Sequence, residues 1–408
     1  MPPLALFGVV AAGAAQASDL YFDFNRNQVG QSANASLFLF GDANQQATVS
    51  NLAGFNQTVT LNAQGFFNLV IANSFQQSGT GILNTGFNVN SANPIAGYFV
   101  NRAPFSTDMT YLLDSAALGT NYLIASQGTA IGEGSQVAIH ATANGTNVTF
   151  APIGGAPINV TLNAGETYKY AGGATFCDTL IEQMIPTDRL SKTYAISASQ
   201  GGNLSGSDLV RVIASVDGTE VKVNGIVVAT LNKGQFHEFS VAANAGAKIE
   251  GSEPVMVAQY LKGGGGANTD PAMSLVPGDD TWLPEYRLAT PSGAQDFLID
   301  YASIVINTAD LASLKLDGVP VNTAGCTPIA GTPYSRCHVT LPNGLFNLTA
   351  DNPFQVMLGG GSNADSYFTY GGATFAPGTS PPTTTPEPAS TALFGIGLLG
   401  LAAARRRR

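Results

Sequence analysis

The sequence predicts an all-β fold of tandem, related β-sandwich units, about four of them, closed by a single short transmembrane helix at the C-terminus. Three observations carry this. Short alternating runs such as Ser36-Leu37-Phe38-Leu39-Phe40, Thr58-Val59-Thr60-Leu61 and Phe67-Asn68-Leu69-Val70-Ile71 are separated by Gly, Asn, Asp or Pro. Runs of about four to eight residues, with turn signals about every 8–12, argue for antiparallel sheet. No long stretch of helical period lies between Ser18 and Ala376. The runs also recur in a fixed order.

Three blocks open with one phrase: TNYLIASQG at 120–128, KTYAISASQG at 192–201 and PEYRLATPSG at 284–293. Each phrase leads into an apolar strand, a turn and a strand, then a further strand, a Gly turn and an aromatic strand, as in INVTLNAGETYKY and VVATLNKGQFHEF. Asn144-Gly145 and Asp217-Gly218 are expected as hairpin turns, since both central positions of a type I′ turn need positive φ. The block from Lys192 ends in EGSEPVMVAQYL, the last block condenses this to TADNPFQVML, and the start of the chain follows the same order more loosely. Tyr122 and Tyr194 are 72 residues apart, Tyr194 and Tyr286 are 92, because the second block lacks the closing hairpin. About seven strands per complete unit fits a small sandwich; a propeller with two blades per unit is the alternative. Expected boundaries are 18–120, 121–191 (shortened), 192–283 and 284–376 for the β units. The shortened block should lean on a neighbour and not fold alone.

This repeat pattern resembles the N-terminal region of the IgGFc-binding protein family. The most specific phrase is Cys177-Asp178-Thr179-Leu180-Ile181-Glu182-Gln183-Met184-Ile185-Pro186, with Asp270-Pro271-Ala272-Met273-Ser274-Leu275-Val276-Pro277 in the same place before the next block. The resemblance spans about residues 30–376 and implies an extracellular binding or scaffold region with no catalytic residue. In the family pattern, the upstream partner of Cys177 would sit in the hairpin missing here.

The two ends carry address labels. Residues 4–15 are apolar and small, and Ala15-Gln16-Ala17 is an A-x-A cleavage site, so 1–17 reads as a signal peptide. A basic n-region is missing ahead of it, and the true start is expected upstream of Met1. After a Pro/Thr linker at 377–386, Pro386-Glu387-Pro388 precedes an apolar run of 14 residues and then Arg405, Arg406, Arg407 and Arg408. At about 1.5 Å per residue such a run covers about 21 Å of a hydrocarbon core about 30 Å thick, a marginal anchor. The arginines hold its C-terminus on the cytoplasmic side. This tail, 387–408, resembles the PEP-CTERM sorting signal, which implies transient holding at the inner membrane of a Gram-negative bacterium and processing by an exosortase-type membrane protease. A plain tail anchor is the competing reading.

Composition agrees with export. The 408 residues are 44% hydrophobic but only 11% charged, with 47 glycines and a net charge of −10. An acidic body speaks against nucleic acid as a partner. The loop CTPIAGTPYSRC places Cys326 and Cys337 eleven apart in an exported protein, and a disulfide between them is expected, with Cys177 free. His140, His237 and His338 stand one to a strand with no second ligand at i+2 or i+4, and read as solvent-facing. Asp23, Asn25 and Asn27 have the spacing of a calcium loop, but Gln28 and Asn34 stand at its glycine and glutamate positions, so the match fails. Looser calcium ligation by Asp270, Asp279 and Asp280 competes with simple turn chemistry. The glycines at 395, 397 and 400 match a dinucleotide fingerprint only formally, inside the apolar tail. No catalytic motif, cofactor site or metal site emerges. The expectation is an exported, non-enzymatic adhesive or scaffold protein of the cell envelope or extracellular matrix, associated with biofilm or exopolysaccharide. A surface-glycan-binding module is the alternative, and a hydrolase of unrecognised type the third reading.

Overall fold

A computed structural model describes residues 18–27, 34–126, 135–152, 155–171, 180–200, 207–262, 270–291, 297–362 and 364–375. The signal segment, the linker and the whole sorting tail, with its expected transmembrane helix, lie outside them. The described chain is β throughout, apart from short 3-10 turns, and its sheets stack in pairs; no propeller forms among the described residues. No helix of the described residues is long and apolar enough to cross a membrane.

The first block contributes β1 (Ser18–Phe22), β2 (Ala35–Phe40), β3 (Gln46–Asn51), β4 (Asn56–Thr60), β5 (Phe66–Ile71), β6 (Gly81–Leu83), β7 (Phe87–Ser91), β8 (Ala96–Ala103) and β9 (Ser106–Leu112). All but β6 form two four-stranded sheets, β1-β7-β3-β4 and β5-β2-β8-β9. The alternating positions Leu20, Phe22, Leu37, Leu39, Val49, Phe87 and Val89 face each other between the sheets, and Phe22 stacks on both Phe87 and Phe99 with centroids 4.9 Å away. Period-two alternation thus builds one apolar face per sheet.

The third block repeats this topology with β14 (Thr193–Ser197), β15 (Ser207–Ala214), β16 (Thr219–Val223), β17 (Ile226–Leu231), β18 (Phe236–Ala242), β19 (Gly246–Gly251), β20 (Val255–Leu261) and β21 (Ala272–Leu275). Its sheets are β14-β19-β16-β17 and β18-β15-β20-β21, again four-stranded, one strand more per unit than the sequence suggests. The fourth block uses β22 (Leu283–Ala289), β23 (Ile299–Asn307), β24 (Lys315–Leu316), β25 (Val319–Pro320), β26 (Thr327–Pro328), β27 (Tyr334–Thr340), β28 (Leu345–Ser362) and β29 (Asp365–Tyr370). Here one 18-residue strand, β28, replaces the closing hairpin. Its first half lies between β22 and β24, its second half between β23 and β29.

The second block holds only β10 (Gln136–His140), β11 (Thr146–Phe150), β12 (Ile158–Leu162) and β13 (Thr167–Ala171). β10 pairs with β13 and β11 with β12, and only Ala141, Leu162 and Tyr168 form its buried cluster. β13 completes its sheet by pairing with β6 of the first block, Thr167 opposite Leu83 and Lys169 opposite Gly81. The shortened block leans on its neighbour.

The turn chemistry differs from expectation. At Asn144-Gly145 and Asp217-Gly218 only the glycine has positive φ, 68° and 74°. These dipeptides join strands of different sheets, so no two-residue hairpin closes there. The pairs with both residues positive are Asn224-Gly225 (50° and 78°) and Asp317-Gly318 (51° and 77°). They close β16–β17 and β24–β25, neighbours within one sheet, as the right-handed strand twist requires.

The recurring Tyr of the opening phrase is a corner post. The Tyr194 hydroxyl accepts from Ser191 N (3.0 Å) and donates to Val255 O (2.5 Å), while Tyr286 accepts from Leu283 N and donates to Phe354 O. Both are 2% exposed. Tyr122 accepts from Gly119 N in the same way, but its block lacks the closing strands and it stays 41% exposed.

Candidate functional site

Two polar clusters are enclosed where the repeats meet. The first lies along the seam between the first and second blocks. From the end of β1 onward, Phe22 and Phe24 point into the first core, so the alternate residues Asp23 and Asn25 face β13. The chain at Gln77 runs parallel beside Asn25. Lys169, entirely buried on β13, donates from Nζ to Asn25 Oδ1 (3.0 Å) and to Gln77 O (2.9 Å). Asp23 Oδ1 accepts from Gln77 Nε2 and Thr167 Oγ1, both at 2.8 Å, and stands 3.7 Å from His140 Nδ1. Burial works to raise the Asp23 pKa, but His140, Thr167 and Gln77 outweigh it and hold the carboxyl below its ordinary value. Burial pushes Lys169 down to about 8, against the pull of Asp23. The spacing that mimics a calcium loop therefore receives the chain's own ammonium group at Asn25. Asn27 turns elsewhere, donating to Asn101 Oδ1 and Ser106 O.

The second cluster lies where the last strands of the three complete sandwiches converge: β9, β21 and β29. Residues 180–186, from the most specific family phrase, run along β9. Ile181 N donates to Asp108 Oδ2 (2.9 Å), Gln183 N to Thr110 Oγ1 (2.9 Å), and Leu113 N to Gln183 Oε1 (2.6 Å). Asp108 also accepts from Met109 N and Phe368 N, so it gathers amides from different blocks onto one carboxyl. Thr107 donates from N and Oγ1 to Asp365, and Asp270 N to Ser366 Oγ. Burial holds Asp108 well above the usual carboxylate range despite these amides; burial and then the nearby Asp108 charge do the same to Glu182. Asp365 is pushed up to about 6 by burial. Tyr98, Tyr111 and Tyr370 line the same junction with centroids 5.3 and 5.2 Å apart along the row.

These clusters join repeat to repeat, and the repeat they join is recognisable. Residues 36–176 and 170–360 match the family described as IgGFc binding protein, each match taking in two successive blocks. The chain belongs to the IgGFc binding protein family. Residues 384–408 match the PEP-CTERM protein-sorting motif, which makes the protein an exported one, held transiently at the membrane and sorted by an exosortase-type enzyme. No curated protein matches the chain.

In this member of the IgGFc binding protein family, the sequence-predicted site residues fall in different places. Pro386, Glu387, Pro388, Arg405, Arg406, Arg407 and Arg408, with Ala15, Ala17 and Cys177, lie outside the described residues. Cys326 and Cys337 are joined by a disulfide, Cα atoms 4.4 Å apart, with Cys337 buried on β27 rather than in a loop. Two histidines depart from the solvent-facing reading. His140 is enclosed beside Asp23, and His338 Nε2 meets Ala198 O at 2.8 Å between the third and fourth blocks, where burial lowers its pKa. Both lie on strand faces that another block covers. Asp279 accepts from Thr193 Oγ1 and Asp280 from Ser191 Oγ, which is turn anchoring. No group of three His, Cys, Asp or Glu side chains among the described residues could hold a metal ion. Sequence reasoning missed Lys169, Asp108 and Glu182. Glu182 stands in the family phrase, but nothing local marks the other two.

Proposed function

We propose that this protein is a non-enzymatic adhesive or scaffold element of the cell envelope or extracellular matrix of a Gram-negative bacterium, associated with its biofilm and exopolysaccharide. One observation carries the reading: a sorting motif at 384–408 follows a family region in which strongly perturbed ionisable groups are turned inward onto other repeats. Asp108 and Lys169 brace block against block, and bracing is the work of a rigid, displayed body. A surface-glycan module is the second reading. It finds support in β18, where Phe236 is 47% exposed and His237 stacks on Phe239, centroids 6.4 Å apart. Trp282 gives it none, being 5% exposed and packed on Tyr334.

The test is a pull-down of the tail-processed protein with exopolysaccharide and cell-surface material of its host, in parallel with a glycan array. Retention on the matrix with a blank array supports the scaffold reading. Discrete glycan binding lost in Phe236→Ala favours the second. Turnover of matrix polymer by the purified protein would refute both.

A further inference from the structure

Lys169 is a lysine with no access to water, and what faces it is a side-chain amide. Its Nζ donates to Asn25 Oδ1 at 3.0 Å and to the Gln77 carbonyl at 2.9 Å. Among the described residues it is the only lysine that is fully buried. The two residues stand on elements of different blocks, 144 positions apart, and β13 and the strip 77–83 hold them together. Asp23, two residues from Asn25 on the same face, is fixed by Gln77 and Thr167 and flanked by His140. Phe24 closes the adjacent core, and Arg26 is the other charge that acts on the lysine. We propose that Lys169 and Asn25 are the two ends of an intramolecular isopeptide crosslink, which welds the shortened second block to the first.

The chemistry needs three things, and each is present. The nucleophile has to be a neutral amine; with burial lowering its pKa to about 8, about one molecule in ten carries the free amine at pH 7. The electrophile has to be held against it, and a contact fixed between β13 and the bridged Asn25 converts a slow bimolecular aminolysis into an intramolecular one. A proton acceptor has to lie within reach, and Asp23, two residues from Asn25 and close enough for its charge to act on Lys169, is kept ionised by its surroundings. In the step, the neutral Lys169 Nζ forms a bond to Asn25 Cγ, and the bond from Cγ to Nδ2 breaks. The proton shed by Nζ passes through the Asp23 carboxylate to Nδ2, which leaves as ammonia and departs as ammonium at neutral pH. No oxidant, metal or cofactor enters the balance. The product is an amide between blocks in place of an ammonium ion. It costs no buried charge and cannot be pulled apart, which suits a block too small to hold itself together.

Mass spectrometry of the purified, reduced full chain decides the matter. The native protein is expected to fall about 17 Da below the mass of its own sequence, the loss of one ammonia. A tryptic digest should yield one branched species joining the peptides that contain Asn25 and Lys169, with no cleavage after Lys169. Lys169→Met should remove both signatures. Asn25→Asp should restore the crosslink with loss of about 18 Da, as water leaves instead of ammonia. A folded native chain with the full mass of its sequence, cut by trypsin at Lys169, would overturn the proposal, whether or not the variants fold.

Discussion

At the scale of single residues, the fold depends on positions where side chains must be absent as much as on those where they must be large. The C-terminal end of β28 reads Gly359-Gly360-Gly361, a poor strand sequence by propensity. Two fully buried tyrosines explain it. A Cβ at Gly359 would stand 2.5 Å from Tyr301 Cζ, and one at Gly360 2.2 Å from Tyr367 Cε1 and 2.9 Å from Asp300 Oδ1. Tyr367 cannot yield, because its hydroxyl is tied to Asp300 at 2.5 Å and its ring packs edge-on against Phe297. Gly360→Ala is therefore expected to cost about 1–3 kcal/mol, the usual range for forcing volume into a packed core. Gly325, which has open space around it and no positive φ, is the control; Gly325→Ala should stay within about 0.5 kcal/mol. Denaturant melts of the two variants check this, and equal midpoints would show that the tyrosine layer is soft.

At the scale of elements, what the sequence discloses depends on whether a strand has one covered face or two. β1 alternates in burial, and so its place in a sandwich can be read from Leu20 and Phe22. β21 and β29 are buried at every position, since other blocks cover their outer faces, and no period of two survives to mark them. The same cause hides Lys169: between Tyr168 and Tyr170 it looks like an outward-facing strand residue, and only β6, Gln77 and Asn25 of the first block give it partners. Asn144-Gly145 misleads because a dipeptide reports a turn and not which sheets the turn joins. The converging edge strands also have a consequence for pH. Burial raises Asp365 from 3.8 to about 6, and its folded form therefore binds more protons than the unfolded chain between those values. The stability this confers is fully present below about pH 4 and lost as pH rises through 6, by up to about 3 kcal/mol before solvent screening is allowed for. Asp108 and Glu182 are shifted in the same direction, while Asp23 is shifted the opposite way and acts only in stronger acid. The full chain should melt at a higher temperature at pH 5 than at pH 7. Asp365→Asn, which keeps an acceptor for Thr107 N, should flatten that difference. A native chain whose melting temperature rises steadily from pH 5 to 7 would contradict the assignment.

At the scale of the whole molecule, braced β blocks are followed by a Pro/Thr linker and a tail of quite different physics. The 14-residue apolar run contains three glycines, each a weak helix former, and it is shorter than a hydrocarbon core. Arg405 to Arg408 nevertheless block its passage across the membrane. Such a tail retains a protein but does not hold it firmly, which is what a segment destined for removal needs. The sorting motif, residues 384–408, takes in Pro386-Glu387-Pro388 just ahead of that run. Changing the three residues to alanine leaves apolar length and terminal charge untouched. If the triplet is what the protease reads, the variant should accumulate at full length in the inner-membrane fraction, while the native chain yields a shorter species that lacks the arginines. Membrane extraction followed by intact-mass measurement separates the two forms. Identical size and fractionation would mean that the triplet is not read and that the tail is an anchor only. In that case the braced repeats would do their work tethered to the membrane instead of released into the matrix.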